Sequence, residues 1–469
     1  MMTTQFNKHP LLALSLSMLV VYGWFAWRFP LIPRYAQKLA DVRTFAPTMR
    51  GGLVYALVLL SLFLICWQAY RLARTVKPSP QFMLASSFLI GLPLLFVYPI
   101  NANDVFRYVL RGRVMAVHGA NPYVSPPSDY PNDPFAHLAG EWASATSPYG
   151  PIWELTDAAV SWFSGDNLLM SLLAFKLLGL LTFVACGWFI VQLVPHRALL
   201  WCWNPACYLM FVVDAHNDVL MLLWLFMALW IGRVLRLTWQ RATVAVCVAV
   251  LSPLTKLTGI VFLPFLAISL LSRLSSQAQK TRYILFSALG SLCLTLLTFV
   301  PFGDPRLLVT RLLSETQGGG AFSPTIYLYF VDQRIDAFSI EVARLFEIGT
   351  PLFIGFALLA VVWAFFGRNP LRAAADTYFA YLLTALNFRI WYALWVFPWT
   401  LIDDSSEWRL RFGYLFLVTS QLSVVLYGHV RQFYFNTVDI AHLWGIPFVF
   451  ALPLLGVVLW NYANSRTRE

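Results

Sequence analysis

The chain has 469 residues, of which 59% are hydrophobic, 16% aromatic and 12% charged, with a formal net charge of +11. Soluble domains carry about 25% charged residues, so this composition excludes an ordinary water-soluble fold. The excess of cations does not indicate nucleic acid, because no basic run interleaved with aromatics occurs. Cations kept at helix ends by the positive-inside rule account for it.

From the N-terminus, residues 11–27, 52–70, 82–100 and 168–194 form apolar runs close to the ~20 residues that cross a bilayer as a helix. They lack the period-two alternation of barrel strands, which leaves helices as the way to satisfy the backbone. Further runs at 199–213, 219–234, 243–254, 258–271, 283–302, 342–366, 377–387, 390–402, 412–427 and 440–462 bring the reading to fourteen hydrophobic helices, some of them short. The expectation is an all-α polytopic membrane protein, a single integral-membrane domain over 1–469. The first run follows Lys8 and His9 and ends at Trp27-Arg28 rather than at small residues, which fits a retained span and not a cleaved signal. The six cysteines (Cys66, Cys186, Cys202, Cys207, Cys247, Cys293) fall inside apolar runs without metal-ligand spacing and read as buried, reduced thiols.

With the N-terminus placed inside, short inner connections carry Arg71, Arg74, Lys77, Arg273, Lys280 and Arg282, while most acids fall in outer segments. Arg34, Lys38, Arg43 and Arg50 break the pattern: either this loop is a surface helix touching anionic lipid, or the first three spans are misplaced. Two outer loops are long, 101–166 and 303–341. The first is rich in Trp, Tyr and Pro and reads as ordered.

Four motifs carry charge or polarity near these loops. In Asn101-Ala-Asn103-Asp104-Val-Phe-Arg107-Tyr108-Val-Leu-Arg111-Gly112-Arg113, residues Asp104, Arg107, Tyr108 and Arg111 share one helix face, opposite an apolar face. That pattern predicts an amphipathic helix lying on the membrane, ended by Gly119. Asp104 in its first turn is either a helix-capping carboxylate paired with Arg107, or an ionised general base for a hydroxyl. Thr146-Ser147-Pro148-Tyr149-Gly150-Pro151 is a stiff turn flanked by aromatics, an interfacial belt or a sugar- or lipid-facing wall.

The third motif, Trp203-Asn204-Pro205 followed by Asp214-Ala-His216-Asn217-Asp218, lies at the apex of short helices, where polar groups line a cavity or cap the next helix. One His beside two acids is a weak metal signature. Fourth, Lys256 and Arg389 are isolated cations in apolar runs that need a partner. An internal pair with Asp214 or Asp218 is one option, and a lipid-linked phosphate is the other. Trp391, Tyr392 and Trp395 follow Arg389.

Taken in order, Asp104-Val-Phe-Arg107-Tyr108, Asn121-Pro122-Tyr123, Ser147-Pro148-Tyr149-Gly150-Pro151, Asn204-Pro205, His216-Asn217-Asp218, Thr255-Lys256-Leu257-Thr258-Gly259 and Trp391-Tyr392 resemble the GT-C superfamily. The match is to its polyprenyl-phosphate-sugar-dependent, MptA/MptB-like mannosyltransferase type, and runs from about Asn101 to Pro398. The resemblance implies a GT-C fold of about 12–14 transmembrane helices with amphipathic interfacial helices in the first long outer loop. It implies a polyprenyl monophosphate donor carrying mannose or another hexose, a glycan or glycolipid acceptor, and inverting transfer on the extracytoplasmic face of the plasma membrane. Asp104 is then the general base. Lys256 and Arg389 become donor-phosphate candidates by charge, with Arg107, Tyr108, Tyr149, His216, Asn217, Asp218, Trp391 and Tyr392 as candidate substrate contacts. Several members of that superfamily have paired acids where this chain has one, so the expectation is no metal and no other cofactor. The competing class is a polytopic transporter or lipid flippase. It would predict an inverted repeat and polar groups across both leaflets, whereas no repeat is evident and the polar clusters gather on one side.

Overall fold

A computed structural model describes residues 9–39, 41–233, 236–315, 323–385, 387–435 and 437–466. Lys8, Val234 and positions 316–322 of the second long loop lie outside the described residues. The protein is an all-α polytopic membrane protein. Among the described residues there is no strand, only an isolated antiparallel bridge between Pro30 and Val97. Among the described residues, seven helices are long and apolar enough to cross a membrane, and an eighth span is added if Pro205–Val213 and Asp218–Gly232, bent by 118°, are taken together.

The chain forms two compact units, Met1–Phe45 with Ile65–Glu315, and Ala46–Leu64 with Thr316–Glu469. In the first, the helices are α1 (His9–Arg28), α2 (Met49–Val76, whose early turns count with the second unit), α3 (Pro80–Gly91), α4 (Asp104–Ala116), α5 (Pro151–Ser164), α6 (Leu168–Leu193), α7 (Asp218–Gly232), α8 (Trp239–Thr255), α9 (Leu263–Ser272), α10 (Gln277–Phe299) and α11 (Arg306–Glu315). Their starts follow capping chemistry. Ser79 and Asn167 accept from the amides of Phe82 and Met170, and proline occupies the first turn of α3 and α5.

Several expected runs are broken. The run at 82–100 stops being α-helical at Gly91, continues as a 3-10 turn over Leu92–Phe96, and is then extended. Pro93 removes a helical donor there. The run at 199–213 divides into Leu199–Cys202, Pro205–Cys207 and a π-helical stretch Tyr208–Val213. Asn204 forms the joint, donating to the Leu200 carbonyl and accepting from the Ala206 amide. Cys66, Cys186, Cys202 and Cys207 are buried free thiols. Cys247 is only partly buried and Cys293 is exposed, contrary to expectation, since the helix that carries Cys293 buries little of its surface in the protein.

The first long loop is ordered, as expected. Helices α4 and α5 pack so closely that a Cβ on Gly112 would stand 2.1 Å from the Asp157 carbonyl oxygen and 2.3 Å from Ser161 Oγ. The helical spacing of α4 holds, but both of its faces are covered: Asp104, Tyr108 and Arg111 are buried as well as Val105, Phe106 and Val109. Arg113 clamps its C-terminal end, pairing with Asp133 at 2.8 Å and Asp166 at 2.9 Å and donating to the Gly165 carbonyl. Arg43 pairs with Asp41, and Lys38 donates to the Ala139 carbonyl.

The second unit holds α12 (Pro324–Ile335), α13 (Val342–Phe365), α14 (Pro370–Thr384), α15 (Glu407–Val425) and α16 (Val438–Arg466). Its run at 390–402 is a 3-10 turn Ile390–Trp395 followed by Phe397–Ile402. A carboxylate at Asp376 gathers Arg368 and Arg409.

Candidate active site

Asp104 is the first residue of α4, and its N-cap Asn103 makes no side-chain capping bond. The carboxylate therefore stands at the positive end of the helix, where negative charge is favoured. Arg107, one turn on, pairs with it at 2.9 Å. His216 Nδ1 lies 3.9 Å from Asp104 and 4.0 Å from Asp218, charge contacts too long to be hydrogen bonds. Lys256 Nζ donates to both Asp218 oxygens at 2.9 Å. Asp104, Arg107, His216, Asp218 and Lys256 thus form one polar chain, two ion pairs joined through an imidazole, drawn from three separate stretches of sequence. The side chains of Asp104, Arg107 and Lys256 keep 9%, 15% and 14% exposure, whereas His216 and Asp218 keep 2% and none. Only the first three offer an incoming group any surface.

The neighbouring turn supports this chain. His216, Asn217 and Asp218 follow the π-helical stretch through Ala215, a non-glycine residue at φ +54°. That left-handed conformation costs energy and is tolerated only when its surroundings impose it. Asn217 is fully buried, and neither of its side-chain amide atoms has a hydrogen-bond partner among the described residues.

Beneath Asp104 lies an aromatic floor. Tyr108 packs edge-on against Tyr149 and Trp153, with centroids 5.4 and 4.9 Å away. Tyr149 is held by the stiff turn read from sequence: its amide donates to Ser147 Oγ, and the next amide, from Gly150, donates to the Thr255 carbonyl beside Lys256. A Cβ on Gly150 would meet the Leu254 carbonyl oxygen at 2.1 Å, so only glycine allows this approach. Arg111 sits over the Tyr149 ring and donates to the Thr146 carbonyl. Burial pushes the Glu154 carboxyl up to about 7, against the pull of Arg111 and of Ser147, whose hydroxyl donates to it. Burial and the charge of Glu154 likewise raise Asp157.

Arg389, Trp391 and Tyr392 belong to the second unit. Arg389 is exposed just before the 3-10 turn, and it has no ion-pair partner among the described residues. Trp391 meets Tyr392 edge-on at 5.7 Å, and Tyr392 stacks on Trp395 at 4.0 Å.

Three residues escaped the sequence reading. The Arg107 guanidinium carbon lies 3.6 Å from the centroid of the Trp142 ring. No spacing rule singles out an aromatic in an irregular loop. Lys176 is a lone cation within the apolar run 168–194, the signal that flagged Lys256, and it was passed over. Asp214 was read as part of a polar apex and as one possible partner of Lys256, not as the acceptor for the Ile100 and Asn101 amides. Among the described residues no group of three or more His, Cys, Asp or Glu is arranged to hold a metal ion.

A carboxylate held between Arg107 and a helix N-terminus is equipped to take a proton from a hydroxyl brought against it. Residues 14–272, more than half of the chain, match the model of a family described as alpha-(1->6)-mannopyranosyltransferase, N-terminal domain. Among curated proteins, the chain is similar to alpha-(1->6)-mannopyranosyltransferase A of Corynebacterium glutamicum. The two are 26% identical over 185 residues, which is 38% of this chain and 36% of that protein. It is also similar to alpha-(1->6)-mannopyranosyltransferase B of the same organism, with 29% identity over 151 residues, 30% of this chain and 25% of that protein. The A protein of Mycobacterium tuberculosis is 25% identical over 182 residues, 36% of this chain and 35% of its own length. The matched segments thus span about a third or less of these relatives. No solved structure matches the chain.

Proposed function

The chain belongs to the alpha-(1->6)-mannopyranosyltransferase A/B family, and on that premise we propose that it is a GT-C-type membrane mannosyltransferase using a polyprenyl monophosphate donor. The acceptor is a glycan or glycolipid hydroxyl, and transfer occurs on the extracytoplasmic face of the plasma membrane. Asp104 removes the acceptor hydroxyl proton as its oxygen bonds to the sugar C1. The C1–O bond to phosphate breaks, and its electron pair leaves with the polyprenyl phosphate. A single displacement inverts C1, so an α-linked product requires a β-linked donor.

The observation that carries this reading is the Asp104 carboxylate, partly accessible and paired at 2.9 Å with Arg107 within the family-matched span. Lys256 neutralises Asp218, which leaves its role toward a donor phosphate secondary. Arg389 is the freer cation and the better phosphate candidate on its own charge. Tyr149, Tyr108 and His216 border Asp104 and would back the sugar pocket from beneath its surface. Arg107 supplies positive charge beside the base, and the proposed transfer uses no metal.

The test uses the full chain reconstituted in lipid nanodiscs. It compares labelled mannose on a synthetic polyprenyl monophosphate with a nucleotide-linked mannose, each with an oligomannoside acceptor and excess chelator. The proposal expects transfer from the lipid donor alone, at a rate indifferent to chelator. Equal or faster transfer from the nucleotide sugar would overturn the donor assignment, and loss of transfer on chelation would overturn the metal-free reading.

A further inference from the structure

Lys176 and Asp214 are both fully buried. A buried ionisable pair at membrane depth is costly and calls for a reason. Lys176 projects from α6 and donates to the carbonyls of Val212 (3.1 Å) and Val213 at the end of the π-helical stretch. One turn further along α6, a Cβ on Gly179 would stand 2.0 Å from the Phe211 carbonyl oxygen, so the two backbones touch. The π-helical stretch is thereby fixed to a membrane-spanning helix at two points.

Asp214 is the next residue in the chain. Its Oδ1 accepts from the amides of Ile100 (3.0 Å) and Asn101 (3.3 Å), in the extended strand of chain that leads into α4. Lys176 approaches the same turn from α6 through the Val212 and Val213 carbonyls. The backbone then closes on itself, with the His216 amide donating to the Met210 carbonyl at 2.9 Å. One rigid turn consequently fixes two things: the approach to Asp104, through Asp214, and the position of His216 and Asp218, through the chain itself.

We propose that Lys176 and Asp214 are positioning residues that set where the Asp104 carboxylate stands relative to His216 and the Asp218–Lys256 pair. The proposal rests on the reading of Asp104 as the base, but it also makes a claim that does not involve turnover. Ile100 and Asn101 lose their acceptor when Asp214 is truncated, and the entry to α4 loosens. A displacement of about 1 Å at a reacting group costs on the order of 100-fold in rate.

The experiment pairs kinetics with hydrogen–deuterium exchange on the full chain in nanodiscs. Asp214→Ala is expected to speed exchange at the Ile100 and Asn101 amides by about tenfold or more, with exchange along Leu168–Leu193 unchanged. It should also lower kcat about 100-fold, while KM for the lipid donor stays within about twofold. Lys176→Met removes the donor to the Val212 and Val213 carbonyls next to Asp214 and should behave alike. The double variant Lys176→Met, Asp214→Asn removes both charges but keeps an amide oxygen for the two N–H groups. It should restore slow exchange and regain about tenfold in kcat over either single variant. Unchanged exchange at Ile100 and Asn101 in Asp214→Ala would overturn the proposal, as would a kcat loss no larger than the loss of folded protein. Failure of the double variant to fold would also overturn it, since the pair would then hold the fold and not the site. Wild-type protein inactive with the lipid donor would count against the proposed function, and the exchange result would still decide this inference.

Discussion

At the scale of single residues, the site is two ion pairs, Asp104–Arg107 and Asp218–Lys256, on either side of His216. Lys256 illustrates what that partnership is worth. Replacing it by Met leaves the Asp218 carboxylate buried without its cation, and breaking a buried pair in this way costs 3–5 kcal/mol. Lys256 keeps some exposure, so Lys256→Met is expected to destabilise by about 3 kcal/mol, measured by thermal or denaturant unfolding in detergent. Adding Asp218→Asn to the same chain should recover most of that loss. If the single variant unfolds like wild type, the pair contributes nothing and Lys256 is free for another role. Sequence reading found Asp104, Lys256 and the His216-Asn217-Asp218 turn because charge in an apolar surrounding is conspicuous. It left the partner of Lys256 open between two aspartates, because pairing is set by helix geometry that no spacing within one segment encodes. Trp142 was invisible for a related reason: its stacking on Arg107 depends on how an irregular loop folds back.

At the scale of elements, α4 and α5 act as one cradle for Asp104, and their closeness depends on Gly112. A methyl group there would collide with the Asp157 carbonyl and the Ser161 hydroxyl, and the carbonyl cannot swing aside as a side chain can. Gly112→Ala is expected to lower stability by about 1–3 kcal/mol and to reduce transfer, read by melting temperature and kcat. An unchanged melting temperature would mean that the helices separate without cost. The same cradle encloses Glu154 and Asp157 with Arg111 and Ser147. The Glu154 carboxyl is raised from 4.5 to about 7 by burial, so the folded state holds a proton that the unfolded state releases. Stability should therefore fall as pH rises from about 4.5 to about 7. Glu154→Gln should flatten this fall, by on the order of 3 kcal/mol. An undiminished pH slope in that variant would assign the effect elsewhere. The helical spacing of α4 was legible in its sequence, as was the stiff turn before α5. That both faces of α4 are covered was not, because the covering residues come from elements far away in the chain. The breaks at Pro93 and Pro205 carried a local signal, proline within an apolar run, that hydropathy alone smooths over.

At the scale of the molecule, the family match covers mostly the first unit, where Asp104, Lys176, His216, Asp218 and Lys256 all reside. Arg389, Trp391 and Tyr392 fall outside the matched residues, and the part in donor binding proposed for them rests on charge and aromatic chemistry alone. The transmembrane character was plain from composition. The number of complete spans was not, since short, bent and 3-10 segments interrupt several apolar runs. The central claim is that Asp104 is the base for mannosyl transfer. Its most direct test is the rate of transfer from a mannosyl polyprenyl phosphate by Asp104→Asn protein whose melting temperature matches wild type. A general base contributes about 100- to 10,000-fold, so the account predicts a loss of that size with donor KM little changed. Transfer at the wild-type rate would contradict it.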